Sequence, residues 1–148
     1  MKNFTPFLML MITVVLSCNT PSGTSSTAKL SKTMTTLTQS KWQLFSINGQ
    51  KAYAKEGSSI PTLAFDAEKM SVSGNSGCNS FSGGFTAEKD ALSFGNLATT
   101  RMMCADMKME TDFIAAITKT AKFSMYEGKL VLHDAEGKQL MSFDPLPQ

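Results

Sequence analysis

The chain has 148 residues, with 14 Lys and Arg against 12 Asp and Glu and a formal net charge of +2. That length supports one domain with a self-sufficient core, and so small a charge excludes the basic patch that nucleic-acid binding needs. The uncommon counts are 11 Met and 3 Cys.

Met1-Lys2-Asn3 is followed by an apolar run from Phe4 to Leu16 and then Ser17. One positive charge, a short apolar core and a small residue make a secretory signal over residues 1–17. The run is too short to span a bilayer as a stable helix. Cys18 follows in the context Val15-Leu16-Ser17-Cys18, which resembles a bacterial lipobox, apart from Leu16 where a small residue is commoner. A lone thiol beside a cleavage site points to lipidation of Cys18. Simple secretion with a leftover free thiol is the alternative. Asn19 replaces the aspartate associated with inner-membrane retention, so an outer-membrane anchor is expected.

Residues 19–39 are rich in Ser and Thr. Such a composition buries too little apolar surface to offset backbone ordering, and the segment 18–39 reads as a lipidated flexible tether. The folded domain then spans residues 40–148. Trp42 to Ile47 is a strand ending in the hairpin signal Asn48-Gly49, and Gln50 to Ala54 is its shorter return. Leu63 and Phe65 share one face of a third strand. Asp66 to Lys69 is a turn, after which Met70 and Val72 are expected inward. Gly74 to Gly77 is a turn cluster leading into a glycine-punctuated strand with Phe81 and Phe85 on one face. Leu92 and Phe94 mark the next strand.

One helix is predicted from about Asp106 to Thr120, with Met109, Phe113, Ala116, Ile117 and Thr120 on its buried face. Asp106 is its expected cap. Glu110, on the opposite face, is expected to tolerate alanine within about 0.5 kcal/mol. Three strands follow, Lys122 to Glu127, Lys129 to Asp134 and Lys138 to Asp144, with Pro145 and Pro147 ending the sheet. About eight or nine short strands with one apolar face require a closed sheet. The fold class is therefore mainly β: a small antiparallel barrel of about eight strands with one inserted α-helix plugging or crossing an end.

Two stretches carry most of the remaining information: Gly77-Cys78-Asn79-Ser80-Phe81-Ser82-Gly83-Gly84-Phe85, and Thr99-Thr100-Arg101-Met102-Met103-Cys104, which holds the only arginine. Together they resemble the META domain of the HslJ-like heat-shock lipoproteins, over residues 41 to 143. The resemblance implies a compact lipocalin-like barrel, and it implies links to heat shock and antibiotic tolerance. The family often has Pro after the second cysteine, where this chain has Ala105.

In an exported chain the pair Cys78 and Cys104 is first a disulfide. It would close a loop worth roughly 3.5 kcal/mol of chain entropy. A reduced inert pair and a redox thiolate activated by Arg101 stay open as alternatives. Gly77 belongs to the turn, and Gly83 marks a bulge or close approach. Asn79 reads as a turn-forming amide bonded to backbone. Arg101 reads as a strut between the motif loop and the barrel. Met102, Met103, Cys104, Met107 and Met109 form a thioether-rich run suited to Cu(I), against which Met109 and Met103 read as core filling, Met103 at the barrel end.

His133 is expected on the solvent face, where it supports no catalytic triad. The carboxylates fall one per turn, and no glycine run has phosphate-binding spacing. No catalytic residue, metal or cofactor is expected. The expectation is a non-enzymatic envelope lipoprotein, monomeric, held to the outer membrane by its lipid and facing the periplasm, with an envelope protein as its partner. The rivals are an inhibitor or binder of an extracytoplasmic enzyme such as a lysozyme, which is fold-level analogy, and a small-ligand barrel. The bulky inward set Trp42, Phe65, Phe81, Phe85 and Phe94 argues against the last, because barrels of this size fill with side chains.

Overall fold

The computed structural model describes residues 25–147, with side-chain surroundings from Lys32 onward. The signal segment, Cys18 and the start of the expected tether lie outside the described residues. Among the described residues nine antiparallel strands form a single sheet in the order β2-β1-β3-β4-β5-β6-β7-β8-β9, and β1 also pairs with β9, so the sheet closes into a barrel-like ring. The predicted fold class holds.

Strand β1 (Lys41–Ile47) alternates inward Trp42 and Leu44 with outward neighbours, and a register shift between Leu44 and Ser46 brings Ile47 inward. Asn48 and Gly49 both take positive φ, 48° and 78°, the mirror-image turn that matches strand twist. The return strand β2 is only Gln50–Lys51, shorter than expected. Strands β3 (Thr62–Asp66) and β4 (Ser71–Asn75) follow as a hairpin with Leu63, Phe65 and Val72 buried. Met70 is exposed instead of inward, because the turn extends through it and it takes φ 49°.

Strands β5 (Ser80–Glu88) and β6 (Ala91–Thr99) are the longest pair, with Phe81, Phe85, Ala87 and Leu92 buried and Phe94 half-buried. Strands β7 (Lys122–Tyr126), β8 (Lys129–His133) and β9 (Gln139–Leu146) complete the ring. Pro145 lies inside β9, opposite Trp42, and does not end the sheet. Pairing of β9 with β8 stops at Phe143, so the missing N–H of Pro145 breaks no ladder bond.

Among the described residues two helices accompany the ring, one more than predicted. Helix α1 (Ser25–Thr38) occupies most of the stretch expected to be a tether. Its last turns are packed: Leu37 is fully buried, Met34 packs against the core and Thr33 Oγ1 donates to Lys89 O at 2.9 Å. The indole N–H of Trp42 donates to Leu37 O at 2.9 Å. The tether reading is corrected here for residues 32–38. Thr33, Met34 and Leu37 recur at helical spacing, a pattern too short to outweigh the surrounding Ser and Thr.

Helix α2 (Lys108–Lys119) packs against β6 and β1, and it links β6 to β7, which pair in register only at Ala91 and Lys122. Met109, Phe113, Ala116 and Ile117 are buried as predicted. The Phe113 ring lies 5.5 Å from that of Phe81 and 6.4 Å from that of Phe143, which joins the helix to both sides of the interior. Trp42, Phe113, Phe143, Leu63, Leu130 and Met141 are all fully buried there. No helix among the described residues is long and apolar enough to cross a membrane.

Candidate functional site

The two motif stretches meet at the start of α2, where β5 begins and β6 ends. Asn75 opens the first loop: its Oδ1 accepts the N–H of Gly77 at 2.7 Å and the hydroxyl of Ser59 at 2.8 Å. Gly77 takes φ +124°, a conformation closed to side-chain-bearing residues, although a Cβ there would have room. This turn delivers Cys78 and Asn79 inward, 8% and 2% exposed.

Cys78 and Cys104 form a disulfide, with Cα atoms 6.0 Å apart. The amide of Asn79 does more than shape its own turn. Its Oδ1 accepts the N–H of Met102 at 2.6 Å and the hydroxyl of Thr100 at 2.8 Å. Its Nδ2 donates to Met102 O at 3.1 Å and to Glu110 Oε1 at 3.0 Å. The backbone N–H of Asn79 donates to Glu110 Oε2 at 3.1 Å. One buried side chain thus joins three segments, and every polar atom it carries is engaged.

Glu110 corrects the sequence reading most directly. It was placed on the solvent face of α2, yet its carboxylate binds Asn79 from the first turn of the helix, where a negative charge also suits the helix dipole. The i+3 and i+4 relations within α2 give no hint of this contact; only the turn at Gly77 brings Asn79 to it.

Arg101 is exposed and has no ion pair among the described residues, so the strut reading is corrected. Asn79 fills that role because a short buried amide reaches backbone on both sides. Met103 is 93% exposed and Met102 62%, so neither fills the barrel end, whereas Met109 is 6% exposed in the core. The five-sulfur run is therefore divided between solvent, a disulfide and the interior. Gly83 fulfils its expectation: a Cβ there would lie 2.7 Å from Leu97 Cδ2 and 2.8 Å from Asn96 O, at the register shift between β5 and β6. His133 Nε2 lies 2.9 Å from Ser124 Oγ on the outer side of the sheet.

The helix cap sits at Met107, one residue beyond the expected Asp106. Asp106 still serves the helix end, since its Oδ1 accepts the N–H of Lys108 at 2.9 Å. Its other oxygen pairs with Lys55 at 2.6 Å, tying the β2–β3 loop to the same cluster. The Lys55 ammonium and the Lys108 N–H hold the Asp106 carboxyl below the usual carboxylate range, while Asp106 raises Lys55. The depressed Asp106 contributes stability above its unfolded pKa of about 3.9, lost as pH falls through the lower folded value. Stability is expected to drop on acidification below about pH 4, and Asp106→Asn to flatten part of that drop. Urea midpoints across pH check this; superimposable profiles for the two proteins would contradict it.

Chemically, the arrangement fastens. The cysteines are bonded to each other, the Asn79 amide is saturated, and the Glu110 carboxylate is held by Asn79. A groove of about 580 Å³ between β6 and α2, lined by Phe94, Leu97 and Ile114 among others, is open to solvent.

The sequence model of the META domain matches residues 35–145. Among solved structures, an NMR structure 28% identical covers 74% of this chain and 91% of its own, with a TM-score of 0.58. An NMR structure of a protein from Burkholderia xenovorans, 23% identical, covers 97% of this chain and 100% of its own, with a TM-score of 0.58. A crystal structure of a DUF4847 family protein from Bacteroides vulgatus, 14% identical, covers 76% and 96%, with a TM-score of 0.56. The last two likenesses concern the fold alone. No curated protein matches the chain.

Proposed function

The chain belongs to the META domain family, and from that premise we propose that it is a non-enzymatic envelope lipoprotein that acts by binding. The observation that carries this reading is the closed state of the motif. Cys78, Cys104, Asn79 and Glu110, the residues with the chemistry to react, are engaged with one another. The aromatic interior supports the same reading, because Trp42, Phe113 and Phe143 occupy the space that a lipocalin gives to a ligand. Cys18 carries the anchor, the outer membrane is its site, and the role is in stress or antibiotic tolerance, as the family resemblance implies.

A second reading, an inhibitor or partner of an extracytoplasmic enzyme, is favoured by the bare surface at Arg101, Met102 and Met103. It is compatible with the first, since an anchored domain can bind an enzyme.

Metabolic labelling with an alkyne fatty acid tests the anchor. The wild-type chain is expected to take the label and to fractionate with membranes, and Cys18→Ala to lose both. A Cys18→Ala chain that stays with the membrane would count against lipidation as the means of attachment. Complementing a deletion strain under heat and antibiotic stress with both forms then reads whether tolerance needs the anchored chain.

A further inference from the structure

The segment from Thr100 to Met103 is fixed from below and bare above. Met102 is held on both its N–H and its C=O by Asn79, the N–H of Thr100 donates to Ser80 O at 3.0 Å, and Cys104 is bonded to Cys78. Yet Arg101 is exposed, Met102 is 62% exposed and Met103 is 93% exposed. Two adjacent thioethers held in water beside the chain's only guanidinium do nothing for the fold of the barrel. A rigid loop loses little entropy on binding, and Arg and Met are enriched at protein interfaces.

We propose that the Arg101–Met103 loop is the docking element for an envelope protein whose concave site carries a carboxylate flanked by apolar surface. This inference rests on the reading of the chain as an envelope protein that acts by binding. The carboxylate follows from Arg101, a planar fork suited to two parallel bonds and without an ion pair among the described residues. The apolar flanks follow from Met102 and Met103, whose unbranched side chains adapt to irregular pockets. A lipid surface is the less suited occupant. Membrane attachment through a surface segment takes several basic residues, and among the described residues the loop offers one free cation, Arg101, since Lys55 beside it is paired with Asp106.

Peroxide footprinting tests the proposal on the full chain, with mass spectrometry reading sulfoxide at each methionine. Met70 and Met125, each 37% exposed, serve as internal references. In the purified chain Met103 is expected to oxidise faster than both. In intact cells at native expression, Met103 is expected to slow several-fold relative to them, Arg101→Glu to abolish that protection and Arg101→Lys to keep part of it. Vesicles of phosphatidylethanolamine and phosphatidylglycerol carrying only this chain are expected to give no protection. Met103 equally reactive in cells and in isolation, protection unchanged by Arg101→Glu, or equal protection in the vesicles that carry only this chain would each overturn the proposal, the last in favour of a membrane surface. Acyl labelling in the same cells separates the two readings. Protection without label removes the lipoprotein and keeps the docking loop; label without protection removes the docking loop alone.

Discussion

Phe113→Ala is expected to lower the unfolding free energy by about 3–5 kcal/mol, the range for deleting a buried phenyl group. Phe113 has no exposed surface and stands between the rings of Phe81 on β5 and Phe143 on β9. It also sits on the helix that links β6 to β7, which share only one register pair. A cavity there removes the contacts that hold α2 to both walls, so the loss is expected at the upper part of the range. Urea denaturation of the wild type and the variant measures it. A variant as stable as the wild type would make α2 a surface ornament and return the small-ligand reading to consideration.

The parts of the fold legible in the sequence were those set by local periodicity. Alternation placed Leu63, Phe65, Phe81 and Phe85 inward, and helical spacing picked out Met109, Phe113, Ala116 and Ile117. Turn chemistry located the reversal at Asn48-Gly49, because only a positive φ satisfies a two-residue hairpin of that hand. Composition misled where it was averaged over too long a window. The Ser and Thr of residues 19–39 hid a helix whose described packing includes Thr33, Met34 and Leu37.

The site was legible as a list of residues and not as a set of contacts. Cys78 and Cys104 could be paired on the expectation of export, under which an even pair has few other fates, and the disulfide is present. The division of labour between Arg101 and Asn79 was not readable. A lone arginine in a motif invites a structural role, yet its length lets it reach solvent, while the shorter amide reaches the backbone of Met102. Glu110 was assigned by its position on the helix wheel, which describes the helix and says nothing of the loop folded against its first turn.

Asn79→Ala is accordingly expected to be the other large effect, about 3 kcal/mol. It removes side-chain bonds to Met102, Thr100 and Glu110 at a site 2% exposed, leaves the Met102 N–H without its acceptor, and leaves the Glu110 carboxylate with only the backbone N–H of residue 79. Glu110→Ala, first placed within about 0.5 kcal/mol, is now expected to cost about 1–2 kcal/mol, the lower part of the range for a charged acceptor because the side chain is half-buried. The disulfide joins two of the same segments independently, so both variants are expected to fold.

The motif fastens the first loop, the Thr100–Cys104 segment and α2 into one unit, and a double-mutant cycle between Asn79→Ala and Glu110→Ala measures that coupling. Urea unfolding of the two single variants and the double variant, with the disulfide intact, gives the coupling energy. The expected coupling is about 1–2 kcal/mol, with the double variant little worse than Asn79→Ala alone. Strictly additive losses would contradict the account, because Asn79 and Glu110 would then stabilise the domain separately.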